Sequence, residues 1–245
     1  MSFDNRVLPM NLLAFDTSTE ALSAAVLKGG TLIAEENAAG GAQASSSLIP
    51  TLQALLARAQ LHVDDLDAIV FGRGPGSFTG LRTACAVAQG FGFGANVPVL
   101  GIATLHAIAE EARHRAGANR VVAVLDARMH EVYTARYAFD GSRWQCESEI
   151  ALVKPEALEV PRGWTLAGNA FGEFDAALPS HAARVEAMPT AAAMLRIAPQ
   201  LIAAGHAEDA SRAMPVYIRD KVAQTTEERA AARAASAKSQ TQLQS

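Results

Sequence analysis

The first part of the chain contains short apolar runs separated by turn residues. Residues 21–27 and 31–36 are apolar runs on either side of the Gly29–Gly30 pair, which predicts a β-hairpin. The apolar run at 11–16 precedes them and adds a third strand. We therefore expect the fold to begin with three consecutive strands.

A helical period follows the three strands. Leucine and isoleucine side chains recur at the spacing of one helix face, which predicts an amphipathic helix over residues 46–59. Apolar runs predict strands at 67–71 and 98–102, and helices are expected over 77–92 and 104–115. The predicted order of the first half is therefore β-β-β-α-β-α-β-α.

The second half begins with a similar pattern. Asp16 ends the first apolar run six residues before Leu22, and Asp126 ends another run six residues before Val132. This spacing predicts a duplicated α/β domain, with two unrelated hairpins as the alternative. A helix over 190–204 and a strand-like segment at 215–219 follow. The predicted organisation is an extension at 1–9, two subdomains at 10–118 and 119–222, and a polar, disordered tail at 223–245.

Composition narrows the possible function classes. The net charge is −4, so the chain has no general electrostatic attraction for nucleic acid phosphates. The sequence has no apolar run of the roughly 20 residues that a membrane-spanning helix requires, and its start does not resemble a signal peptide. We therefore expect a cytoplasmic protein without a membrane partner, with Cys85 and Cys146 as reduced thiols.

Glycine residues are concentrated between the predicted strand at 67–71 and the helix that follows it. A strand, a flexible turn and a helix start together form an anion-binding arrangement, and Asp16 ends a neighbouring strand. The alternative is a tight connection in which glycine supplies a positive φ. Six residues are the candidates for contact with an anion or a nucleotide: Asp16, Thr17, Ser18, Gly74, Gly76 and Ser77.

The helix at 77–92 has one face of small residues. Gly80, Ala84, Ala88 and Gly92 recur every four positions, so another helix can approach this face closely. Both packing inside the chain and docking of another subunit explain such a face.

No catalytic set can be assembled from the sequence. The six histidines form no HxH, HxxH or HxxxH pair, and Cys85 lies among alanines at a packing position. The glycine-rich turn has no P-loop lysine and no nucleophile elbow. We therefore expect no metal and no catalytic residue of the chain's own.

One segment identifies a family. The sequence GRGPGSFTGLR at 72–82 closely resembles the signature of the TsaB (YeaZ) subfamily. LLAFDTST at 12–19, PVLGIATLHAIA after residue 97, VLDARMHEVY at 124–133 and PVYIRDKV near the end also resemble that family.

The resemblance implies an actin-like, sugar-kinase-like (ASKHA) α/β fold with two βββαβαβα-type subdomains, the second reduced. It also implies a non-catalytic role in the synthesis of threonylcarbamoyladenosine on tRNA, with TsaD as the main partner and TsaE as the ATPase. Thr104 and Ile108 stand where TsaD carries its two metal-binding histidines. The resemblance implies that this chain has no cofactor of its own. It also implies that ATP or ADP can bind at the interface of the complex. The chain would contact tRNA only indirectly and form a homodimer when alone.

Family members pair with TsaD through their N-terminal helices, which correspond to 46–59 and 77–92 here. The implied interface residues are Leu48, Leu52, Gly80, Ala84, Ala88 and Gly92. The rival hypothesis is a small actin-like ATPase or kinase that uses Asp16 and the turn from Gly72 to Gly80.

Overall fold

A computed structural model describes residues 9–219 of the chain. Its first half contains the predicted three strands followed by alternating helices and strands. These elements are β1 (Leu12–Asp16), β2 (Ala21–Lys28), β3 (Thr31–Ala39), α1 (Ala44–Ala59), β4 (Ala68–Gly74), α2 (Phe78–Ala95), β5 (Val99–Ala103) and α3 (Thr104–Ala116).

The first sheet has the strand order β3-β2-β1-β4-β5. Strand β1 lies at its centre, antiparallel to β2 and parallel to β4, and all five of its residues are buried. Because both faces of β1 are covered, it is a continuous apolar run rather than an alternating one. Helices α1 and α2 pack on one face, with Leu48, Leu52 and Ala84 in the core between them and the sheet.

The second half repeats this plan with fewer elements. Its strands and helices are β6 (Arg120–Asp126), β7 (Val132–Phe139), β8 (Trp144–Cys146), β9 (Ala151–Val153), β10 (Thr165–Gly168), α4 (Phe171–Phe174), β11 (Ala183–Glu186) and α5 (Ala191–Ala203).

The second sheet has the order β11-β10-β6-β7-β8, and β9 also pairs with β7. Strand β6 takes the central place of β1, antiparallel to β7 and parallel to β10. Asp16 and Asp126 are thus the last residues of equivalent central strands. No α-helix in the described part of this half corresponds to α1, and α4 has only four residues. The predicted duplication with a reduced second copy therefore matches the topology.

The two halves interlock through one helix from each. Helix α3 of the first half packs on the second sheet, whereas α5 of the second half packs on the first sheet. Between them, Arg196 contacts Glu110 through Nε at 2.9 Å and Glu111 through Nη2 at 2.7 Å. Both glutamates are almost fully buried, so losing Arg196 would leave two buried carboxylates with fewer partners.

The prediction of a strand-like segment at 215–219 is wrong. These residues form no strand, and the Val216 N–H donates one backbone hydrogen bond of 2.7 Å to the Arg73 carbonyl. The predictions for the N-terminal extension up to residue 8 and for the tail after residue 219 concern residues outside the described range. Within 9–219, no helix is long and apolar enough to span a membrane.

Candidate functional site

The glycine-rich turn between β4 and α2 packs directly on the loop that follows β1. The Ser77 N–H donates to the Ser18 carbonyl at 2.7 Å, and the Thr17 hydroxyl donates to the Gly80 carbonyl at 2.7 Å. Ser77 is also the N-cap of α2. The Ser77 N–H is therefore already bonded, and an anion at this helix start would have to bind other donors.

Glycine is required in this turn because the backbones approach so closely. A β-carbon on Gly80 would lie 1.8 Å from the Thr17 carbonyl oxygen, and one on Gly76 would lie 2.4 Å from the Ser18 carbonyl oxygen. Any side chain at either position would overlap the neighbouring loop. These two glycines thus permit the close approach of the two backbones, whereas the positive φ of the alternative occurs in this turn at Gly74, with a φ of 108°.

Asp16 is enclosed by the same contacts and is only 1% exposed. Its Oδ1 atom accepts hydrogen bonds from the Ser18 N–H at 2.9 Å and the Ser18 hydroxyl at 2.6 Å. Its Oδ2 atom is buried and has no hydrogen-bond partner among the described residues. Burial raises the pKa of Asp16 to about 6, against the opposing effect of the Ser18 hydrogen bonds.

An open cleft of about 610 Å³ lies beside these loops, between the two halves. Of the six predicted anion-contact residues, Ser18, Gly76 and Ser77 line this cleft. Asp16, Thr17 and Gly74 are buried and do not line the cleft, so their contact with an anion stays a prediction.

The opposite wall of the cleft is the loop after β6. Arg128, Met129 and His130 all have positive φ values of 56–63°. Three consecutive left-handed residues other than glycine are costly, at roughly 1–2 kcal/mol each. The Asp126 Oδ1 atom accepts from the Arg128 N–H at 2.8 Å, and the Arg128 side chain contacts Glu20 of the first half.

Arg219 holds this loop from the C-terminal side. Its guanidinium donates to the Arg128 carbonyl at 3.3 Å, to the Met129 sulfur at 2.8 Å and to the Glu131 carboxylate at 2.5 Å. The candidate residues named from the sequence did not include Arg128 or Arg219. Both arginines lie in segments that resemble the family, VLDARMHEVY and PVYIRDKV, but in the sequence these segments served only to identify the family.

The cleft mouth has an aromatic and cationic rim. The Arg82 guanidinium lies 3.7 Å above the Phe78 ring centre and donates to the Tyr217 hydroxyl at 3.1 Å. The Phe78 and Tyr217 rings are 5.4 Å apart. The segment after residue 213 therefore crosses the start of α2 and borders the cleft.

The predicted partner-interface residues need a correction, because all six are buried within the chain itself. A β-carbon on Gly92 would lie 2.7 Å from the Ala210 β-carbon, so this small-residue face accommodates the chain's own C-terminal segment. Packing inside the chain is the correct alternative, and the prediction that these side chains form an exposed docking face is wrong. The six residues are Leu48, Leu52, Gly80, Ala84, Ala88 and Gly92.

The solvent-facing sides of the same helices have a different composition. Ile49 of α1 is 44% exposed, and Phe93 of α2 is 61% exposed. Ala86 and Gly90 also face solvent on α2, and a β-carbon on Gly90 would meet no atom within 4 Å. Packing of the chain itself therefore does not explain the glycine at position 90.

Thr104 and Ile108 occupy the first two turns of α3 and are both fully buried. Neither side chain is an imidazole, and both are directed into packed protein rather than toward the 610 Å³ cleft. His106, between them, stacks on Tyr137 with ring centres 5.1 Å apart. Its Nε2 atom is buried without a hydrogen-bond partner in the described part of the chain.

The sequence of the chain is similar to that of one protein family. The family model described as "TsaD: tRNA N6-adenosine threonylcarbamoyltransferase" matches residues 40–236. The Escherichia coli protein TsaB, a "tRNA threonylcarbamoyladenosine biosynthesis protein", is 36% identical over 225 residues, which are 87% of this chain and 96% of that protein. The Haemophilus influenzae protein of the same name is 34% identical and is covered to 95%.

A solved structure of YeaZ from Pseudomonas aeruginosa has a TM-score of 0.79 and 36% sequence identity to this chain, and the match covers 85% of this chain and 99% of that one. The predicted actin-like, sugar-kinase-like fold is confirmed. The chain belongs to the TsaB (YeaZ) family.

Proposed function

We propose that this chain is a non-catalytic scaffold and activator subunit in the synthesis of threonylcarbamoyladenosine on tRNA. TsaD is the partner that carries the transferase chemistry, and TsaE is the ATPase of the same complex. The names of the relatives in Escherichia coli and Haemophilus influenzae support the pathway. The geometry of the site supports the non-catalytic role.

The enclosure of Asp16 is the observation that carries this proposal. A kinase or ATPase of the rival hypothesis needs this carboxylate in the cleft, where it could act on a phosphate. Here the carboxylate is 1% exposed, and Gly72 lies directly against it. Moving it into the cleft would require the loops around Ser18 and Ser77 to separate.

The corrected docking surface is the solvent-facing side of α1 and α2. We define it by four residues: Ile49, Ala86, Gly90 and Phe93. Glycine in the middle of a helix costs about 1 kcal/mol relative to alanine, and nothing within the chain requires it at position 90. A helix of TsaD that approaches α2 closely would explain the glycine at position 90. The same surface serves a homodimer when TsaD is absent.

The cleft has the size of a small-molecule site, since such sites typically span about 300–1,000 Å³. Two of its possible phosphate donors are already engaged, however. The Ser77 N–H bonds to Ser18, and Arg128 contacts both Asp126 and Glu20. ATP or ADP would therefore need groups from the partner, and we place such a nucleotide at the shared interface. Contact with tRNA is indirect, and the complex is cytoplasmic.

Analytical gel filtration of this chain mixed with TsaD from the same organism tests the proposal. We expect one complex that contains both proteins, formed at the expense of the homodimer. Separate elution of the two proteins at micromolar concentrations would contradict the partnership.

A further inference from the structure

A second groove, of about 790 Å³, lies between the edge of the first sheet and the second half of the chain. One wall is β5, with Gly101 at its middle, and the opposite wall is the segment 146–150. The groove shares no lining residue with the cleft beside Asp126. Its volume is within the roughly 300–1,000 Å³ that is typical of small-molecule sites.

The groove contains a polar atom that lacks a partner. His106 lines it from the first turn of α3, and the Nε2 atom of this residue is buried without a hydrogen-bond partner within residues 9–219. Burial lowers the pKa of the His106 imidazole to about 4, so the ring is neutral at pH 7 and one of its nitrogens is an acceptor. Buried polar atoms without partners are rare, and each one suggests a missing partner. A ligand that donates an N–H inside the groove would supply it.

The edge of β5 adds a backbone acceptor. Val99 exchanges two backbone hydrogen bonds of 2.8 Å with Glu208, so its N–H and C=O point away from β4. Alternate residues of a strand direct these groups to the same side, so the Gly101 carbonyl points away from β4 as well. Because Gly101 lines the groove, its carbonyl is a second acceptor for a ligand there.

Carboxylates lie on both walls of the groove. Glu208 is held at the β5 wall by its backbone bonds to Val99, and Glu147 and Glu149 belong to the opposite wall. Arg73 is the one arginine or lysine among the described lining residues, so the negative charges outnumber the positive ones. A cation whose charges are spaced along a chain can approach both walls at once, whereas a compact cation approaches only one.

Apolar surface lies between these polar groups. It can cover the methylene segments of a ligand and remove them from water. The apolar and aromatic lining residues are Leu100, Ile102, Tyr137, Ile150 and Leu201.

We propose that this groove binds a linear polyamine, with its ammonium groups beside Glu147, Glu149 and Glu208 and an N–H donated to the His106 Nε2 atom. The methylene segments between the amino groups pack on the apolar lining. This site is separate from the cleft and from the surface assigned to TsaD, and its test uses the chain alone. It therefore stands or falls independently of the proposed function.

NMR titration of the full-length chain with spermidine tests the proposal, with the Gly101 amide and the His106 imidazole as the reporters. We expect saturable shifts at both, with a dissociation constant of about 0.1 mM. Glu147→Gln with Glu149→Gln should weaken binding about tenfold, because two contacts between ammonium and carboxylate groups are lost. n-Propylamine carries a single charge and should bind at least about tenfold more weakly than spermidine.

Glu35→Gln with Glu36→Gln is the matched control, because it removes the same charge at exposed positions of β3. This control should bind spermidine as the wild-type chain does. The absence of saturable shifts would overturn the proposal, as would an unchanged affinity in the Glu147 and Glu149 variant. An equal loss of affinity in the control would indicate a general charge effect, and equal shifts with magnesium chloride would indicate a site for compact cations. Either result would also overturn it.

Discussion

The Oδ2 atom of Asp16 lies 1.8 Å from the position that a β-carbon would take on Gly72. Gly72→Ala should therefore lower the free energy of unfolding by about 2–3 kcal/mol, because neither the buried carboxylate nor the central strand can move aside. Chemical denaturation of the isolated chain measures the change. Gly90→Ala is the matched control and should raise stability by up to about 1 kcal/mol, because its new methyl group meets open space.

The raised pKa of Asp16 predicts how stability depends on pH. The folded pKa is about 6 and the ordinary value is 3.8, so the native state holds this proton more tightly than the unfolded chain. The contribution of Asp16 is fully present below pH 3.8 and is lost as the pH rises to about 6. The free energy of unfolding of Asp16→Asn, relative to the wild type, should thus rise by about 3 kcal/mol between a pH well below 3.8 and a pH well above 6. A difference independent of pH would contradict the burial of the carboxylate.

His106 should act in the opposite direction over nearly the same range. Burial lowers its pKa from 6.5 to about 4, against the opposing charge of Glu110. The neutral imidazole therefore contributes stability above pH 6.5, and this contribution is lost as the pH falls toward 4. His106→Phe keeps a ring against Tyr137, and its stability relative to the wild type should increase by about 3 kcal/mol as the pH falls from 6.5 to 4. NMR titration of the imidazole gives an independent check, and an apparent pKa near 6.5 would be inconsistent with the structure.

Ala86→Arg should weaken binding to TsaD while leaving the fold intact, because a long charged side chain on the solvent-facing side of α2 holds a partner helix away. We expect a loss of affinity of at least about 30-fold, typical of disrupting an interface centre. Isothermal titration calorimetry measures the affinity, and circular dichroism confirms the fold. Ala203→Arg, at the exposed end of α5, is the control and should bind TsaD as the wild type does. Unchanged binding by Ala86→Arg would remove the docking surface from the account.

Nucleotide binding by the isolated chain should be weak. The Ser77 N–H at the start of α2, which could hold a phosphate, is bonded instead to the Ser18 carbonyl. We expect a dissociation constant for ADP of about 1 mM or higher, corresponding to roughly −4 kcal/mol. Calorimetry with ADP and magnesium provides the measurement, and micromolar binding would support the rival ATPase or kinase.

The periodicity of apolar residues was sufficient to predict most of the first half. Strand β1 is recognised as a short continuous apolar run, and helix α1 is recognised because its buried residues recur at the helical period. The duplication could be recognised because Asp16 and Asp126 end equivalent strands. The packing of α3 on the second sheet and of α5 on the first could not be predicted from the sequence. It depends on contacts between residues far apart in the chain, such as Arg196 with Glu110.

The sequence also could not tell whether the small-residue face of α2 packs inside the chain or against a partner, because that too depends on residues far apart in the chain. Gly80 and Gly92 indicate that something approaches α2 closely, but a sequence pattern does not say what. The structure shows Thr17 at one position and Ala210 at the other, both from distant parts of the same chain. At the exposed Gly90, by contrast, a β-carbon would meet nothing within 4 Å.

Reconstituted formation of threonylcarbamoyladenosine on tRNA, with each protein omitted in turn, tests the central claim most directly. The account predicts product when this chain, TsaD and TsaE are combined with tRNA and the threonylcarbamoyl donor. It predicts no product from this chain alone, and a large loss of product when only this chain is left out. Modified tRNA formed by this chain without TsaD, or full activity in its absence, would contradict the account.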